Sequence, residues 1–358
     1  MLMSRSLQLL FIAHVLLALS ATTASNANRH KFAAVIREGA HDDVLTLLDS
    51  GSVSVNEVFS KKTGTTPLIL AVELEQETIV RLLLERGAEV DQVDIQHVTA
   101  LWLASGQGHL EIVRLLLEAN ANPNIAAEEG LTPLHAAVIY NHTEIVQLLL
   151  FSGADPDAQD DEGHTAIFDA AENNYPALLK ILHSVGADLE LTAAEKNGTG
   201  TAVDVAAHFD HVEALKMLHT LEAKFTNAHI MTAALEGNFK TMKYLSELGL
   251  DVNAVDERGS TALHVAAGSS DLTSVQTLLT LGSNVNAVDA SGWTPLHSAA
   301  AHGGATVVQT LIDNGADPYI KDHDETLALT LAKMQKFHEV VKILENVPEK
   351  FQEERVEL

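Results

Sequence analysis

The sequence contains no cysteine, so neither disulfide bonds nor thiolate chemistry can contribute to its stability or function. Aromatic residues make up only 4% of the chain, which predicts a core of aliphatic side chains and alanine. Basic residues are few: 22 Lys and Arg stand against 49 Asp and Glu, and the formal net charge is −27. Because such a charge is repelled by nucleic-acid phosphates and anionic lipid, we expect neither as a partner.

A long apolar run is missing too, since the longest candidate is shorter than an ordinary membrane-spanning helix. This apolar stretch, at 7–19, follows Arg5 and precedes a run of small residues. The combination is typical of a secretory signal peptide. We therefore predict a signal peptide at 1–25, cleaved after Ala24 or Ser25, and a secreted or lumenal protein. An uncleaved N-terminal anchor holding a membrane-tethered spacer is the alternative.

What the sequence does contain is one phrase repeated many times. Residues 130–137 read GLTPLHAA and residues 292–300 read GWTPLHSAA. The threonine of the phrase recurs mostly in steps of 33 residues, at Thr66, Thr99, Thr132, Thr165, Thr201, Thr261 and Thr294, with a degenerate unit at 228–234. Glycine after an apolar run keeps the same period, so chance does not explain the pattern.

Each unit predicts two helices and a loop. Threonine is a good helix cap, and proline at the next position suits a first helical turn. A short alanine-rich helix, a turn on Gly or Asn, and a second helix with the pattern HLEIVRLLLEA (109–119) follow. Gly or Asn ends the second helix in a left-handed conformation, and a loop rich in Asp, Asn and Gly completes the unit.

These segments resemble the ankyrin repeat family, through TPLHAA at 132–137, GHLEIVRLLLEANANPN at 108–124 and GADPDAQDDEGHTA at 153–166. The resemblance implies an all-α solenoid with projecting loops or short β-hairpins. The resemblance covers about 29–346; we predict a solenoid over 26–346 and a charged tail at 347–358. We count nine to ten repeats, near 29–61, 63–96, 97–129, 130–162, 163–197, 198–225, 226–258, 259–291, 292–325 and 326–346.

The segment 190–230 departs from the pattern. Three residues are inserted before Thr201, and the loop that should precede the degenerate unit is nearly absent. We expect the stack to bend or split there.

Histidine is the residue type that most invites a chemical interpretation. His135, His264 and His297 occupy the histidine of the repeated phrase, which the resemblance assigns to hydrogen bonds with neighbouring loops. His208 and His211 are three apart and could share a helix face, but a structural zinc site needs four ligands. Nucleophile, phosphate-loop and zinc-protease motifs are absent. We predict no enzyme activity, no cofactor and no metal; an enzyme or metal-binding protein using 190–230 is the alternative.

Function should then lie in recognition of another protein by a monomer. The resemblance implies that partners contact two tip residues before the glycine of the phrase, one after it, and two near the end of the first helix, all on a concave face. The candidates are Trp293, Tyr140, Ile139, Leu131, Asp161, Glu162, His164, Glu128, Glu129, Glu257 and Arg258. Trp293 and Tyr140 are the first choices because exposed aromatics anchor interfaces. Trp102 occupies a histidine slot, and we expect it to be buried.

The acidic tips suggest a basic partner. Asp also favours tight turns, so we expect Asp157 and Asp160 to belong to the loop fold, and Asp161 and Glu162 to be the freer charges. Two sequons, at Asn141 and Asn197, are glycosylation candidates, with Asn197 the better acceptor because it lies in the insertion.

Overall fold

The computed structural model describes residues 27–60, 62–195 and 198–347, and for residues 194, 195, 198 and 199 it describes the backbone alone. The predicted signal peptide at 1–25, the sequon residue Asn197 and nearly all of the predicted tail lie outside the described residues. The chain divides into two compact units between Thr199 and Gly200. Each unit is described by itself.

The first unit is built from five helix pairs. Within a pair the helices pack on each other, and the first helices of successive pairs are also in contact. The pairs are α1 (Ala27–Arg37) with α2 (His41–Asp49), α3 (Pro67–Glu73) with α4 (Glu77–Glu85), α5 (Ala100–Gln107) with α6 (Leu110–Glu118), α7 (Pro133–Ile139) with α8 (Thr143–Phe151), and α9 (Ala166–Glu172) with α10 (Pro176–Ser184). Two short strands, β1 (Ala193–Glu195) and β2 (Gly198–Gly200), form a two-stranded sheet.

The second unit repeats the same plan with five more pairs. They are α11 (Ala202–His208) with α12 (Val212–Thr220), α13 (Ala228–Leu235) with α14 (Phe239–Glu247), α15 (Ala262–Gly268) with α16 (Leu272–Thr280), α17 (Pro295–His302) with α18 (Ala305–Asp313), and α19 (Ala328–Met334) with α20 (His338–Glu345). Both first and second helices stack on their counterparts in the next pair. The all-α repeat architecture expected from the sequence is confirmed.

Local chemistry explains where these helices start and stop. The hydroxyls of Thr66, Thr132 and Thr294 each accept a backbone N–H three residues on, and proline follows each of them, as predicted. The second helices end at left-handed residues, including Gly87 and Asn120. The predicted caps and stops are therefore confirmed.

The core lies between the stacked helices. Alanines of the first helices, such as Ala104, Ala137 and Ala171, are fully buried and let neighbouring helices approach closely. Leu, Ile and Val from the second helices fill the remaining space, and each buried side chain of this size contributes about 1.5–3 kcal/mol. Trp102 is 2% exposed, which confirms that it is packed inside.

Asparagine and aspartate side chains join successive loops. The Oδ1 of Asn124 accepts the N–H of Asp155, and the Oδ1 of Asp157 accepts the N–H of Asp188, both at 2.8 Å. Each of these bonds joins residues 31 apart, and so one loop to the next. In the second unit the corresponding acceptors are Asn227, Asn253 and Asn286. Some of the acidic residues in the loops, such as Asp157, therefore stabilise the fold.

The shortened loop of the second unit changes how its helix pairs are joined. Only residues 221–227 separate α12 from α13. The side chain of His229, which is 4% exposed, contacts Asp204 of the preceding pair at 3.1 Å from Nε2 to Oδ1. Its Nδ1 accepts the N–H of Thr226, so the proton is on Nε2 and is donated to Asp204. Asp204 also accepts the N–H and hydroxyl of Thr201.

Replacing Asp204 with alanine should destabilise the second unit by about 1–3 kcal/mol, because the buried imidazole N–H of His229 loses its acceptor. Burial opposes ionisation of Asp204, but its hydrogen bonds to His229 and Thr201 prevail and hold its pKa below the ordinary value. The stability that the pair contributes is therefore present above the ordinary aspartate range and is lost as pH falls through the lowered pKa. Urea unfolding from pH 2 to 8, followed by Trp293 fluorescence in both proteins, checks this; an equal cost at every pH would contradict it.

Candidate partner-binding surface

The histidines of the repeated phrase hold the loops in place. The Nε2 atoms of His135, His264 and His297 lie 3.2, 2.9 and 3.2 Å from the backbone oxygens of residues 164, 293 and 326, each in the next loop. Nδ1 of each accepts the N–H of the threonine that caps the same helix. Burial lowers the pKa of all three histidines, although the hydrogen bonds to the backbone oxygens of the next loop oppose the shift. The predicted structural role of these histidines is confirmed.

The loop tips form a second ladder, built from backbone. The N–H of Asp161 donates to the carbonyl of Glu129 at 2.9 Å, and the N–H of Glu128 donates to the carbonyl of Gln96 at 3.0 Å. Asp160 closes its own tip, because its Oδ1 accepts the N–H groups of Glu162 and His164. As predicted, Asp157 and Asp160 belong to the loop fold.

Four carboxylates remain at the tips of the first unit. Glu128 and Glu129, in a short 3₁₀ turn, and Asp161 and Glu162, in the next loop, are all exposed. None of the ion pairs among the described residues involves Glu128, Glu129 or Asp161, and Glu162 only approaches His164, at 3.8 Å. We call this group the acidic tip cluster. In the second unit the predicted tip residues Glu257 and Arg258 are also exposed.

The residues after the glycine are less available than the sequence suggested. Leu131, which the sequence predicts as a contact residue, is only 5% exposed and belongs to the buried core. Trp293 is half-buried; its indole N–H donates to Asp322 at 3.1 Å and its ring stacks on His297. Only part of that ring is open to a partner.

His164 is likewise committed to the protein. Its Nδ1 lies 3.1 Å from Oδ2 of Asp160, and its ring stacks on Phe168 with 4.4 Å between centroids. Burial opposes protonation of His164, but Asp160, Asp169 and Glu162 outweigh it and raise its pKa. His164 therefore supports the tip more than it projects from it.

The ends of the first helices supply the apolar part of the surface. Ile139 and Tyr140 are half-buried, and the exposed Asn141 follows them at the left-handed turn. In the same slots the second unit carries apolar side chains that are more exposed: Leu235 at 62% and Met334 at 70%. Sequence reasoning missed both. Counting back two residues from the left-handed turn residue would have found both.

A buried carboxyl was also missed. Asp169 of α9 is 5% exposed, and its Oδ2 has no hydrogen-bond partner among the described residues. Burial, together with the nearby Glu172, raises the pKa of Asp169 well above the ordinary value, and only His164 acts against the shift. Spacing of 33 residues places Asp169 in a row with Leu70, Leu103 and Ala136.

The metal alternative finds little geometric support. His208 Nδ1 lies 3.6 Å from Glu236, whereas His211 stacks on Phe209. Across 27–60, 62–195 and 198–347, no three His, Asp or Glu side chains are grouped to hold a metal ion. Both ring nitrogens of His229 are already occupied within the protein, so the buried pair with Asp204 has no free base to offer a substrate.

Comparison with known families agrees with this architecture. A sequence model described as "Ankyrin repeats (3 copies)" matches residues 91–160 and 230–322, and one described as "Ankyrin repeat" matches residues 63–95. Together the matches cover more than half of the chain. The chain belongs to the ankyrin repeat family. Ankyrin repeats are generally protein–protein interaction modules, and this ankyrin repeat protein is accordingly expected to bind proteins.

The comparison with curated proteins found no match. The family matches leave out residues 161–229, which include Asp169 and the shortened loop. None of the helices in the described part of the chain is long and apolar enough to cross a bilayer.

Proposed function

We propose that this ankyrin repeat protein is a non-catalytic interaction scaffold that binds a basic protein partner through the acidic tip cluster and the neighbouring helix ends. The observation that carries the proposal is the difference between loop acids that are hydrogen-bonded within the fold and tip acids that are exposed. Hydrogen bonds of the fold occupy Asp157 and Asp160, whereas Glu128, Glu129, Asp161 and Glu162 remain exposed together.

Charge and shape support this partner class. Four like charges on adjacent tips create a negative field that attracts a basic surface and speeds its association. Ile139 and Tyr140, at the end of α7, are half-buried and provide apolar area on the same repeat. On this proposal the tips and first helices line the concave face of the repeats, where they contact the partner.

The proposal places the protein in the secretory pathway or outside the cell, and rests that placement on the apolar stretch at 7–19 behind Arg5. Expression of the full chain in eukaryotic cells, followed by N-terminal sequencing, provides the test. A start near Asn26 supports it. An uncleaved N-terminus would instead favour the membrane-tethered spacer.

The partner experiment combines proximity labelling in the native compartment with a charge variant. In the variant the four acids of the tip cluster become Gln or Asn. We expect affinity for the labelled partner to fall about tenfold at low salt and the loss to shrink as salt is added, because exposed charges are screened within about 8–10 Å at physiological ionic strength.

The control carries the same charge change on exposed acids of the second helices: Glu85, Glu111, Glu118 and Glu144. It should bind the partner nearly as the unmodified protein does. Equal losses in both variants would show that net charge, and not the tips, attracts the partner, and recovery of no specific partner would count against the scaffold itself.

A further inference from the structure

One position in α9 breaks an otherwise apolar row. In each repeated phrase, threonine is position 1. Position 5 is Leu70, Leu103, Ala136 and Asp169 in four successive repeats. The first three are 1–3% exposed and pack between first helices. Asp169 is nearly as buried, but it carries a carboxyl into that row.

One oxygen of this carboxyl lacks a hydrogen-bond partner among the described residues. Its Oδ2 is buried and accepts no hydrogen bond from any described residue. The ion pairs of the described chain do not include Asp169, and the charged groups that act on its pKa are Glu172, Asp160 and His164. Two of the three are carboxylates, so the surroundings add to the cost of burying another one.

The position of Asp169 connects it to the acidic tip cluster. His164, which is paired with Asp160 at the base of the tip, stacks on Phe168, the residue next to Asp169. In the other direction, Glu172 lies three residues on, shares the helix face of Asp169 and is exposed. His164 and Asp160, at the base of the tip, both act electrostatically on Asp169, so the buried carboxyl is coupled to the tip of its own loop.

We infer that Asp169 is the anchor point for the guanidinium group of an arginine supplied by the partner, bound beneath the acidic tip cluster. The inference rests on the proposed function and specifies the side chain that is recognised. A guanidinium is planar, can donate two parallel hydrogen bonds to one carboxylate and is more weakly hydrated than an ammonium. It therefore suits a carboxylate that is withdrawn from water better than lysine does.

The test uses two capped nonapeptides, one containing four arginines and the other four lysines, with the full-length protein. The unmodified protein should bind the arginine peptide more tightly than the lysine peptide, by about fivefold or more. Asp169→Asn should lower affinity for the arginine peptide about tenfold, since a hydrogen bond to a charged group is lost, and should abolish the preference. Circular dichroism and thermal unfolding confirm that the variant is folded.

Two controls separate local recognition from general attraction. Glu144→Gln removes one exposed charge from α8 of the same unit and should leave the preference for arginine intact. Asp161→Asn, at the tip, should weaken both peptides similarly and mainly at low salt. An unchanged arginine preference in Asp169→Asn, or no preference in the unmodified protein, would overturn the inference.

Failure here is distinguishable from failure of the proposed function. If Asp169→Asn binds both peptides as before while the tip variant loses its labelled partner, the basic-partner proposal stands and the anchor point is wrong. If the labelled partner is also unaffected by the tip variant, the basic-partner proposal fails as well.

Discussion

Replacing Asp169 with leucine should raise the free energy of unfolding of the first unit by about 1–3 kcal/mol, the usual cost of a buried polar group without a partner. Leu70 and Leu103 occupy the same position in earlier repeats and are almost fully buried, so the row accepts leucine. Urea unfolding followed by Trp102 fluorescence, in a Trp293→Phe background, reports on this unit alone.

The gain should depend on pH in a definite direction. The folded state raises the pKa of Asp169, so it favours the protonated carboxyl. Its contribution is fully present below the ordinary aspartate pKa and is lost as pH rises through the raised value. The advantage of Asp169→Leu should therefore grow as the pH rises from the ordinary aspartate range towards the raised pKa of Asp169, and level off above that pKa. A destabilised leucine variant at pH 7 would mean that the carboxylate has a favourable role in the free protein.

The combination of a stability gain and a binding loss would be informative. Functional positions often retain residues that cost stability, and local rules of folding tend to be broken where a protein binds something. If Asp169→Leu is both more stable and unable to distinguish the arginine peptide, the buried carboxyl serves recognition.

Gly130→Ala should be strongly destabilising, because the loop tips stack with almost no space between backbones. Gly130 is left-handed, with φ of 77°, and a Cβ there would meet the backbone N of Asp161 at 2.8 Å and Cα of Asp160 at 2.9 Å. The left-handed backbone costs alanine about 1–2 kcal/mol. Crowding against the next tip adds about 1–3 kcal/mol.

Gly153→Ala is the matched control. Gly153 is also left-handed, with φ of 90°, but no atom lies within 4 Å of a Cβ placed on it. Gly153→Ala should therefore destabilise the protein only by the cost of placing alanine in a left-handed conformation. Equal effects of the two substitutions, measured by the same urea unfolding, would argue against close backbone stacking between tips.

Much of this fold could be predicted from the sequence because its determinants are local. Thr66-Pro67 and Thr132-Pro133 start helices wherever they occur, and Asn120 ends one where a left-handed residue is needed. A period of 33 residues then requires that each helix pair pack on the next. The hydrogen bonds of the phrase histidines follow from the same repetition.

The surface was harder to predict because it depends on how closely successive loops approach. Leu131 occupies a slot that family resemblance assigns to partners, yet it is only 5% exposed. Trp293 is partly withdrawn because Asp322, 29 residues later, accepts its N–H. Neither effect can be read from the local sequence around these residues.

The buried Asp169 and the half-buried Asp204 were missed for different reasons. A carboxylate on a short helix is ordinarily exposed, and only alignment of the repeats places Asp169 in the row of Leu70. Asp204 occupies the histidine slot of its own repeat and meets His229 because the loop between α12 and α13 is shortened. The sequence shows that loop residues are missing, but it does not show that their loss brings His229 to Asp204.

The most direct test of the recognition surface is photo-crosslinking from two positions of the full-length protein. A photoreactive phenylalanine analogue replaces Glu162, at the acidic tip, or Phe151, a 91% exposed aromatic at the end of α8. Our account predicts that the partner identified by proximity labelling is captured from position 162 and not from position 151. Capture from position 151 alone would show that the second helices form the interface, and would contradict the account.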